Sequence, residues 1–101
     1  AHDGRALYFS RSAIPHVRDV EPAQWHQHTD YWGHVGMYGF RGDVLAAWDL
    51  LPASPLEDLE RLEQLRLIEA GHTIATFPVE GTSLSVDTAE QLEQARRMAE
   101  A

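Results

Sequence analysis

Short apolar stretches alternate with longer polar segments along the 101-residue chain. Residues 5–10, 34–41 and 73–79 are rich in aromatic and β-branched side chains, which predicts a strand in each. Residues 11–33 carry prolines, charges and histidines, so we expect a long loop between the first two strands. Together with the helices described next, the pattern predicts an α/β fold in the order β–loop–β–α–α–β–α.

Residues 54–70 carry the clearest helix signal. Ser54 stands at the N-cap position, Pro55 at the first helical position and Glu57 at the third, which is a capping box with the favoured proline. Gly71 is placed to end the helix. The leucines recur every third residue, and this spacing drifts around a helix of 3.6 residues per turn. We therefore expect one helix that is buried on more than one side, by a core and by a partner subunit.

Two further helices are expected on either side of this one. Residues 43–50 predict a short helix closed by Pro52. Residues 88–100 predict a final amphipathic helix whose inward face carries Leu92, Ala95 and Ala99.

Composition excludes several classes of function. The formal net charge of −8 disfavours nucleic-acid binding, because an acidic surface repels phosphates. The absence of cysteine excludes disulfides and thiolate chemistry. No apolar run approaches the roughly 20 residues of a membrane helix. The chain begins at Ala1 instead of Met, which suggests a processed product or a piece of a longer protein.

Arg11 follows the first predicted strand and could bind a carboxylate through two parallel hydrogen bonds. Spacing alone favours an ordinary surface arginine. His34 and Tyr38 point to the same face of the second predicted strand, with Gly36 leaving an open slot between them. The two side chains could hydrogen-bond sugar hydroxyls, although the pattern by itself favours an aromatic pair on a half-buried sheet.

Glu63 and Gln64 are adjacent on the long predicted helix and could bind the hydroxyls of a polyol. Position alone favours an ordinary surface pair. Asp87 precedes the last helix and has two possible roles. It could cap that helix, which spacing favours, or Thr88 could cap it with Gln91 and leave Asp87 to bind a hard cation such as Mg²⁺.

Other motifs are weak or missing. His26, His28 and His34 suggest zinc, but no further ligand is evident in the sequence. The chain has no GxxxxGK[ST], GxGxxG or GxSxG motif. A nucleotide would therefore have to be held by residues outside this chain.

Four blocks in order resemble the second half of the bacterial 3-deoxy-manno-octulosonate (KDO) cytidylyltransferases: ALYFSRSAIP (6–15), HVGMYGFR (34–41), SPLEDLERLEQLRLIEAG (54–71) and VDTAEQLEQAR (86–96). The resemblance implies the C-terminal half of a nucleotide-sugar-transferase-like, Rossmann-like α/β fold. Residues 1–101 would then be one sugar-binding and dimerisation portion that lacks the N-terminal CTP-binding half. Three residues depart from the family pattern, which has Trp, Gly and Pro in place of His16, Ser85 and Ala89.

The resemblance also implies an activity and roles for single residues. The family forms cytoplasmic homodimers that transfer CMP from CTP to KDO for lipopolysaccharide synthesis, releasing pyrophosphate with the help of Mg²⁺. The resemblance assigns the KDO carboxylate to Arg11, sugar contacts to His34, Tyr38, Glu63 and Gln64, and a magnesium contact to Asp87. We expect the chain alone to bind KDO weakly and not to turn over. A non-catalytic dimerisation or sugar-binding module, and a cytidylyltransferase for another 2-keto acid sugar, remain alternatives.

Overall fold

Short helices joined by irregular segments make up the architecture. The structure is a computed structural model that describes residues 1–81 and 86–100. The α-helices of the described residues are α1 (Gly42–Ala46), α2 (Pro55–Glu60), α3 (Leu65–Glu69) and α4 (Ala89–Glu100). Two 3-10 helices accompany them, Pro22–Gln27 and Trp48–Leu50.

The three predicted strands are wrong for the described residues, where one isolated antiparallel bridge joins Arg5 to Ala75. Beside it, the amide of Ala6 donates to the carbonyl of Ile74 at 2.8 Å. A strand forms a ladder only where a neighbouring backbone supplies donors and acceptors. Here the first and third segments meet over only a few residues, and the predicted β–loop–β–α–α–β–α order is not confirmed.

The single helix predicted over residues 54–70 is wrong, because Arg61 divides it into α2 and α3. Arg61 has φ 55° and ψ 43°, a left-handed conformation that a continuous right-handed helix cannot contain. Leu65 on α3 is fully buried, whereas Leu59 on α2 is 79% exposed. The three-residue leucine spacing thus spans two helices, and the expected burial on several sides does not hold for Leu59 within this chain.

Both predicted end signals of this region are confirmed. The side chain of Ser54 accepts a hydrogen bond from the amide of Glu57 at 3.1 Å, with Pro55 as the first residue of α2. At the other end Gly71 has φ +89° and donates to the carbonyl of Ile68 at 3.1 Å. A second bond, from the amide of His72 to the carbonyl of Leu67 at 2.9 Å, completes a Schellman motif that ends α3.

Two polar connections tie α2 to α3. Arg66 donates to both carboxylate oxygens of Glu57, at 2.6 and 3.2 Å. This hydrogen bonding raises the pKa of the Arg66 guanidinium. The hydroxyl of Ser54, itself almost fully buried, donates to the carboxylate of Glu69, which also accepts from the amide of Leu56 at 3.2 Å. These hydrogen bonds fix α2 against α3.

The two flanking helices form where they were predicted, with differences in detail. Residues 43–50 contain α1 and a 3-10 helix, interrupted at Ala47. Helix α4 confirms the last prediction in position, but it packs against no other described element. Leu92 and Ala99, predicted to face inward, are exposed, so the predicted burial of α4 is wrong within the described chain.

The predicted long loop folds around an aromatic cluster of its own. The rings of His16 and Trp25 meet edge to face at 4.9 Å, and Trp25 stacks on Tyr31 at 6.4 Å. The indole of Trp25 donates to the carbonyl of Val20 at 2.9 Å. The phenol of Tyr31 donates to the carbonyl of Pro15 at 2.5 Å, so this segment closes on itself.

Much apolar surface stays exposed on the described chain. The radius of gyration is 16.8 Å, against about 13 Å for a compact domain of this length. Met37 is 85% exposed and Phe77 82%. None of the helices in the described residues has the length and apolar character to cross a lipid bilayer.

Candidate functional site

A pocket of about 350 Å³ opens between the residues that enter α3 and the segment around α1. Its volume lies within the roughly 300–1,000 Å³ of small-molecule sites. The structure brings together here three of the residues that the sequence singled out, Tyr38, Glu63 and Gln64. The rest of the lining, which the sequence did not single out, consists of Phe40, Leu45 and Trp48.

Gln64 carries the most distinctive feature of this pocket. The residue is only 7% exposed, and its side-chain nitrogen has no hydrogen-bond partner among the described residues. Leaving a buried amide donor unsatisfied costs about 1–3 kcal/mol. Such a group calls for an acceptor that the described residues do not supply, which can be a water, a ligand or a further protein group.

Glu63 reaches the pocket from the turn between α2 and α3. The residue is exposed and precedes Gln64, which stands at the N-cap position of α3. The sequence placed both residues inside one long helix, whereas the break at Arg61 puts them in a connecting turn. The pair thus offers a carboxylate acceptor and an amide donor side by side, a combination that suits hydroxyl groups.

Tyr38 and His34 are in direct contact, whereas the sequence predicted that they lie on one face of a strand on either side of an open slot. The segment is not a strand. The Nε2 of His34 hydrogen-bonds the phenol oxygen of Tyr38, and the ring centroids lie 5.5 Å apart. Phe9 meets the ring of His34 edge to face at 5.4 Å. Burial raises the pKa of Tyr38, so its phenol is neutral near pH 7 and can both donate and accept. Among the described residues, no atom apart from those of its chain neighbours would lie within 4 Å of a Cβ at Gly36.

Arg11 makes contacts that the sequence did not predict. Its Nε donates to the carbonyl of Glu60 at 2.5 Å, and its Nη2 donates to the carbonyl of Arg61 at 2.8 Å. These carbonyls end α2, so the guanidinium stabilises the break before Gln64. Together with His34, Arg11 lines a second, open concavity next to the pocket. The predicted carboxylate contact of Arg11 stays a prediction.

Asp87 does not cap α4, so the role that spacing favoured is wrong. The amide of Gln91 donates to the hydroxyl of Thr88 at 3.2 Å. The side-chain oxygen of Gln91 accepts in return from the amides of Thr88 and Asp87, at 2.9 and 2.7 Å. Thr88 and Gln91 therefore form the capping box, and the carboxylate of Asp87 is left for another role.

The donor set of the described residues fits a metal ion only in part. No group of three His, Cys, Asp or Glu side chains gathers anywhere within residues 1–81 and 86–100. His26, His28 and His34 accordingly form no common site there. Asp87 could supply one carboxylate to Mg²⁺, which accepts one or two carboxylates together with nucleotide phosphates. Ser85 and its loop neighbours at 82–84 lie outside the described residues.

Trp48 is the most informative residue that the sequence analysis missed. Its ring meets Phe40 edge to face at 5.7 Å, and the guanidinium carbon of Arg66 lies 5.8 Å from its centroid. Nothing in the spacing of the predicted helix 43–50 marks this residue, because its surroundings come from α3. The contact between Arg66 and Glu57 that orients it depends on the same helix break.

Comparisons with known proteins agree on one family. A family model described as Cytidylyltransferase matches residues 1–74. The chain is 48% identical to the 3-deoxy-manno-octulosonate cytidylyltransferase of Escherichia coli, covering 92% of this chain and 35% of that protein. The corresponding enzyme of Porphyromonas gingivalis is 44% identical, with 93% and 37% covered. The chain thus spans little more than a third of the length of the curated relatives it matches.

A solved structure shares the backbone arrangement over almost the whole chain. It is a CMP:2-keto-3-deoxy-manno-octonic acid synthetase complexed with CTP, with a TM-score of 0.87 and 43% sequence identity. The match covers 99% of this chain and 39% of the synthetase chain. The irregular segments of the described residues therefore follow the path that the corresponding part of this synthetase takes.

Proposed function

The chain belongs to the cytidylyltransferase family, and from this premise we propose that it supplies the sugar-acid pocket of an enzyme that transfers CMP from CTP to KDO. The products would be CMP-KDO and pyrophosphate, for lipopolysaccharide synthesis. The observation that carries the proposal is the buried amide nitrogen of Gln64, which has no hydrogen-bond partner in residues 1–81 and 86–100, in a pocket that also contains Glu63 and Tyr38.

The chemistry of the pocket supports a polyol ligand. The amide nitrogen of Gln64 donates, the carboxylate of Glu63 accepts, and the phenol of Tyr38 can do either. The remaining walls are apolar, so a ligand must combine hydroxyls with C–H surface, as a sugar does. The curated relatives are named for KDO, which is a sugar of this kind.

Arg11 and His34 supply the neighbouring region in this proposal. Two guanidinium nitrogens of Arg11 hold the end of α2, while its Nη1 has no partner among the described residues. We propose that Nη1 contacts the carboxylate of the sugar acid and that His34, fixed by Tyr38, contacts a hydroxyl. Arg11 would then both orient the turn that carries Gln64 and bind the ligand.

In this proposal, one residue of the described chain contributes to the binding of the metal and the nucleotide. Asp87 would give one carboxylate to Mg²⁺, which when bound supplies neutralising charge at the phosphates of CTP. The groups that hold CTP would come from the remainder of the family fold, because the sequence resemblance implies that this chain is a C-terminal sugar-binding and dimerisation portion. On the same resemblance we propose a cytoplasmic homodimer.

Titration of KDO into the chain, followed by ligand-observed NMR, tests the sugar pocket. The wild type should bind saturably, and Gln64→Leu should weaken binding about tenfold, because it removes the buried donor. Gln94→Leu, at an exposed position on α4, is the matched control and should bind as the wild type does. Absence of saturable binding by the folded wild type would contradict the proposal.

A second experiment tests the incomplete active site. The chain, CTP, KDO and Mg²⁺ should together release no pyrophosphate above background, because the groups that hold the nucleotide are supplied elsewhere. Pyrophosphate release by the chain alone would overturn this part of the proposal. The same titration with related 2-keto acid sugars decides between KDO and the alternative substrates.

The exposed apolar residues favour a second candidate, a non-catalytic dimerisation module. Met37 and Phe77 are both more than 80% exposed, which leaves apolar surface for a partner. Sedimentation equilibrium with and without KDO distinguishes the two functions. A stable dimer that binds no sugar would favour the module, whereas saturable KDO binding favours the transferase portion.

A further inference from the structure

We propose that Trp48 determines sugar specificity in the pocket, with its indole packing against the C–H face of the ligand, and that Glu57 and Arg66 position it. This inference rests on the proposed sugar-binding function of the pocket and deepens it. Trp48 lines the pocket together with Gln64 and Glu63, so the flat apolar ring and the polar groups address the same ligand.

The polar and the apolar walls of the pocket suit different groups of a sugar. Glu63 and Gln64 can bind hydroxyls, but they provide no partner for the C–H groups that a sugar ring also presents. The face of an aromatic ring carries partial negative charge and attracts the weakly positive hydrogens of such C–H groups. Trp48 offers the largest aromatic surface of this pocket and is half-buried, so part of its ring is available to a ligand.

Two aromatic contacts hold the indole from the side of α1. Phe40 meets it at 5.7 Å with an interplanar angle of 88°, and Tyr38 lies 6.1 Å from Phe40. Tyr38 is in turn hydrogen-bonded to His34. The indole thus belongs to a row of rings that runs from the neighbouring concavity into the pocket.

A charged contact holds the indole from the side of α3. The guanidinium carbon of Arg66 lies 5.8 Å from the Trp48 ring centroid, within cation–π range. Glu57 fixes this guanidinium through two hydrogen bonds, and the amide of Glu57 is held by the buried side chain of Ser54. The position of the ring is therefore set by the hairpin of α2 and α3, which also carries Gln64.

Arg66 acts through Trp48 and does not bind the sugar carboxylate in this proposal. Its Nε and Nη2 both donate to Glu57, so its charge is paired with that carboxylate. Arg66 does not line the pocket, whereas Trp48 does. Arg66 and Glu57 are consequently positioning residues, and their substitution should affect the ligand only through the indole.

Substitution at Trp48 tests whether its indole packs against the ligand. We expect Trp48→Leu, which keeps an apolar side chain but loses the ring, to weaken KDO binding about tenfold in the NMR titration. Trp48→Phe, which keeps a smaller ring, should weaken it roughly threefold. Leu50→Ala, two residues away and 84% exposed, is the matched control and should bind as the wild type does.

The outcomes separate this inference from the proposed function. If the wild type does not bind KDO, the proposed function fails and the inference fails with it. If the wild type binds and both Trp48 variants bind equally well, the inference is wrong while the proposed function stands. If Trp48→Leu does not fold, Trp48→Phe decides. Weaker KDO binding at an unchanged melting temperature supports the packing of the indole against the ligand, and unchanged binding overturns it.

The positioning role requires a readout at the indole itself. Arg66→Met and Glu57→Gln should shift the indole N–H resonance of Trp48 and lower KDO affinity, while the resonances of Trp25 and Trp32 stay in place. Arg66→Lys keeps the charge without the paired hydrogen bonds and should give an intermediate affinity. The control is Arg96→Met, which breaks the exposed contact to Glu93 on α4. An unmoved Trp48 resonance, or unchanged affinity in Arg66→Met, would refute the positioning role.

Discussion

The guanidinium of Arg11 donates to the carbonyl of Glu60 at 2.5 Å, across a separation of 49 residues in the sequence. A second bond to the carbonyl of Arg61 makes the contact bidentate. The residue that the sequence offered as a ligand for a carboxylate thus also closes the C-terminal end of α2. Because Gln64 follows Arg61 by three residues, Arg11 connects the first segment of the chain to the pocket.

Arg11→Ala should lower the free energy of unfolding by about 1–2 kcal/mol, because two charged hydrogen bonds to backbone carbonyls are lost. Arg11→Lys should lose less, since an ammonium group can still bond one carbonyl but not both in parallel. Urea denaturation followed by circular dichroism measures both. Arg18→Ala removes a side chain that is 90% exposed and should leave stability unchanged. Equal stability of Arg11→Ala and wild type would show that the two bonds contribute nothing.

Ser54→Ala should destabilise the hairpin of α2 and α3 by at least about 1 kcal/mol. The substitution removes the N-cap bond to Glu57 and also the donor to the carboxylate of Glu69, all at a buried position. Urea denaturation monitored by tryptophan fluorescence reports the change, because Trp48 lies against Arg66 of this hairpin.

Thr88→Ala is the matched control for the cap at Ser54. Thr88 caps α4, which packs against no other described element. We therefore expect Thr88→Ala to reduce helical circular dichroism without moving the fluorescence transition. A fluorescence transition that moves equally in both variants would mean that α4 is coupled to the hairpin, in contradiction to the described packing.

Local signals in the sequence predicted the helix ends, whereas they could not predict the break or the missing sheet. Ser54, Pro55 and Gly71 act on their immediate neighbours, so their effects can be deduced from spacing. The left-handed conformation of Arg61 has no such marker, and the hydrogen bonds that Arg11 donates to the carbonyls of Glu60 and Arg61 come from a distant segment. Strand ladders depend likewise on distant partners, and among the described residues only Arg5 and Ala75 form a bridge.

Gly71→Ala should lower the free energy of unfolding by about 1 kcal/mol or more, because φ +89° is strained for any residue with a Cβ. The alanine would also weaken the Schellman bonds at the end of α3. Gly42→Ala is the contrasting variant: Gly42 begins α1, its φ is not left-handed, and a Cβ there meets open space. We expect no loss of stability from Gly42→Ala, and a loss as large as that of Gly71→Ala would contradict the proposed role of the left-handed conformation.

Some residues of the candidate site could likewise be predicted from local spacing, whereas others depend on contacts from distant segments. Spacing placed His34 and Tyr38 on one face and offered Glu63 and Gln64 as a pair, and the structure brings three of these residues to one pocket. The burial of Gln64 could not be deduced, because an exposed helix pair was the expectation from position alone. The place of Trp48 in the pocket could not be predicted for a related reason, since Arg66, which contacts its ring, comes from α3.

The stability of the chain at alkaline pH should depend on Tyr38. Burial disfavours the tyrosinate and raises the pKa of Tyr38 above its ordinary value of 10.0. The native state therefore holds this proton more tightly than the unfolded state does. The resulting stability is fully present below the unfolded pKa, near 10.0, and is lost as the pH rises through the folded pKa. Tyr38→Phe should show a smaller loss of stability over this alkaline range.

Urea midpoints measured from neutral pH to above the ordinary tyrosine pKa test this expectation. Tyr38→Phe also loses the hydrogen bond to His34, so the comparison uses the slope of stability against pH and not its absolute value. Tyr8 contributes in the same direction, because burial and then the charges of Glu60 and Glu69 raise its pKa. Tyr8→Phe should therefore flatten the slope as well, and the double variant should flatten it most. A slope that stays unchanged in Tyr38→Phe would show that this phenol titrates alike in the folded and unfolded chain.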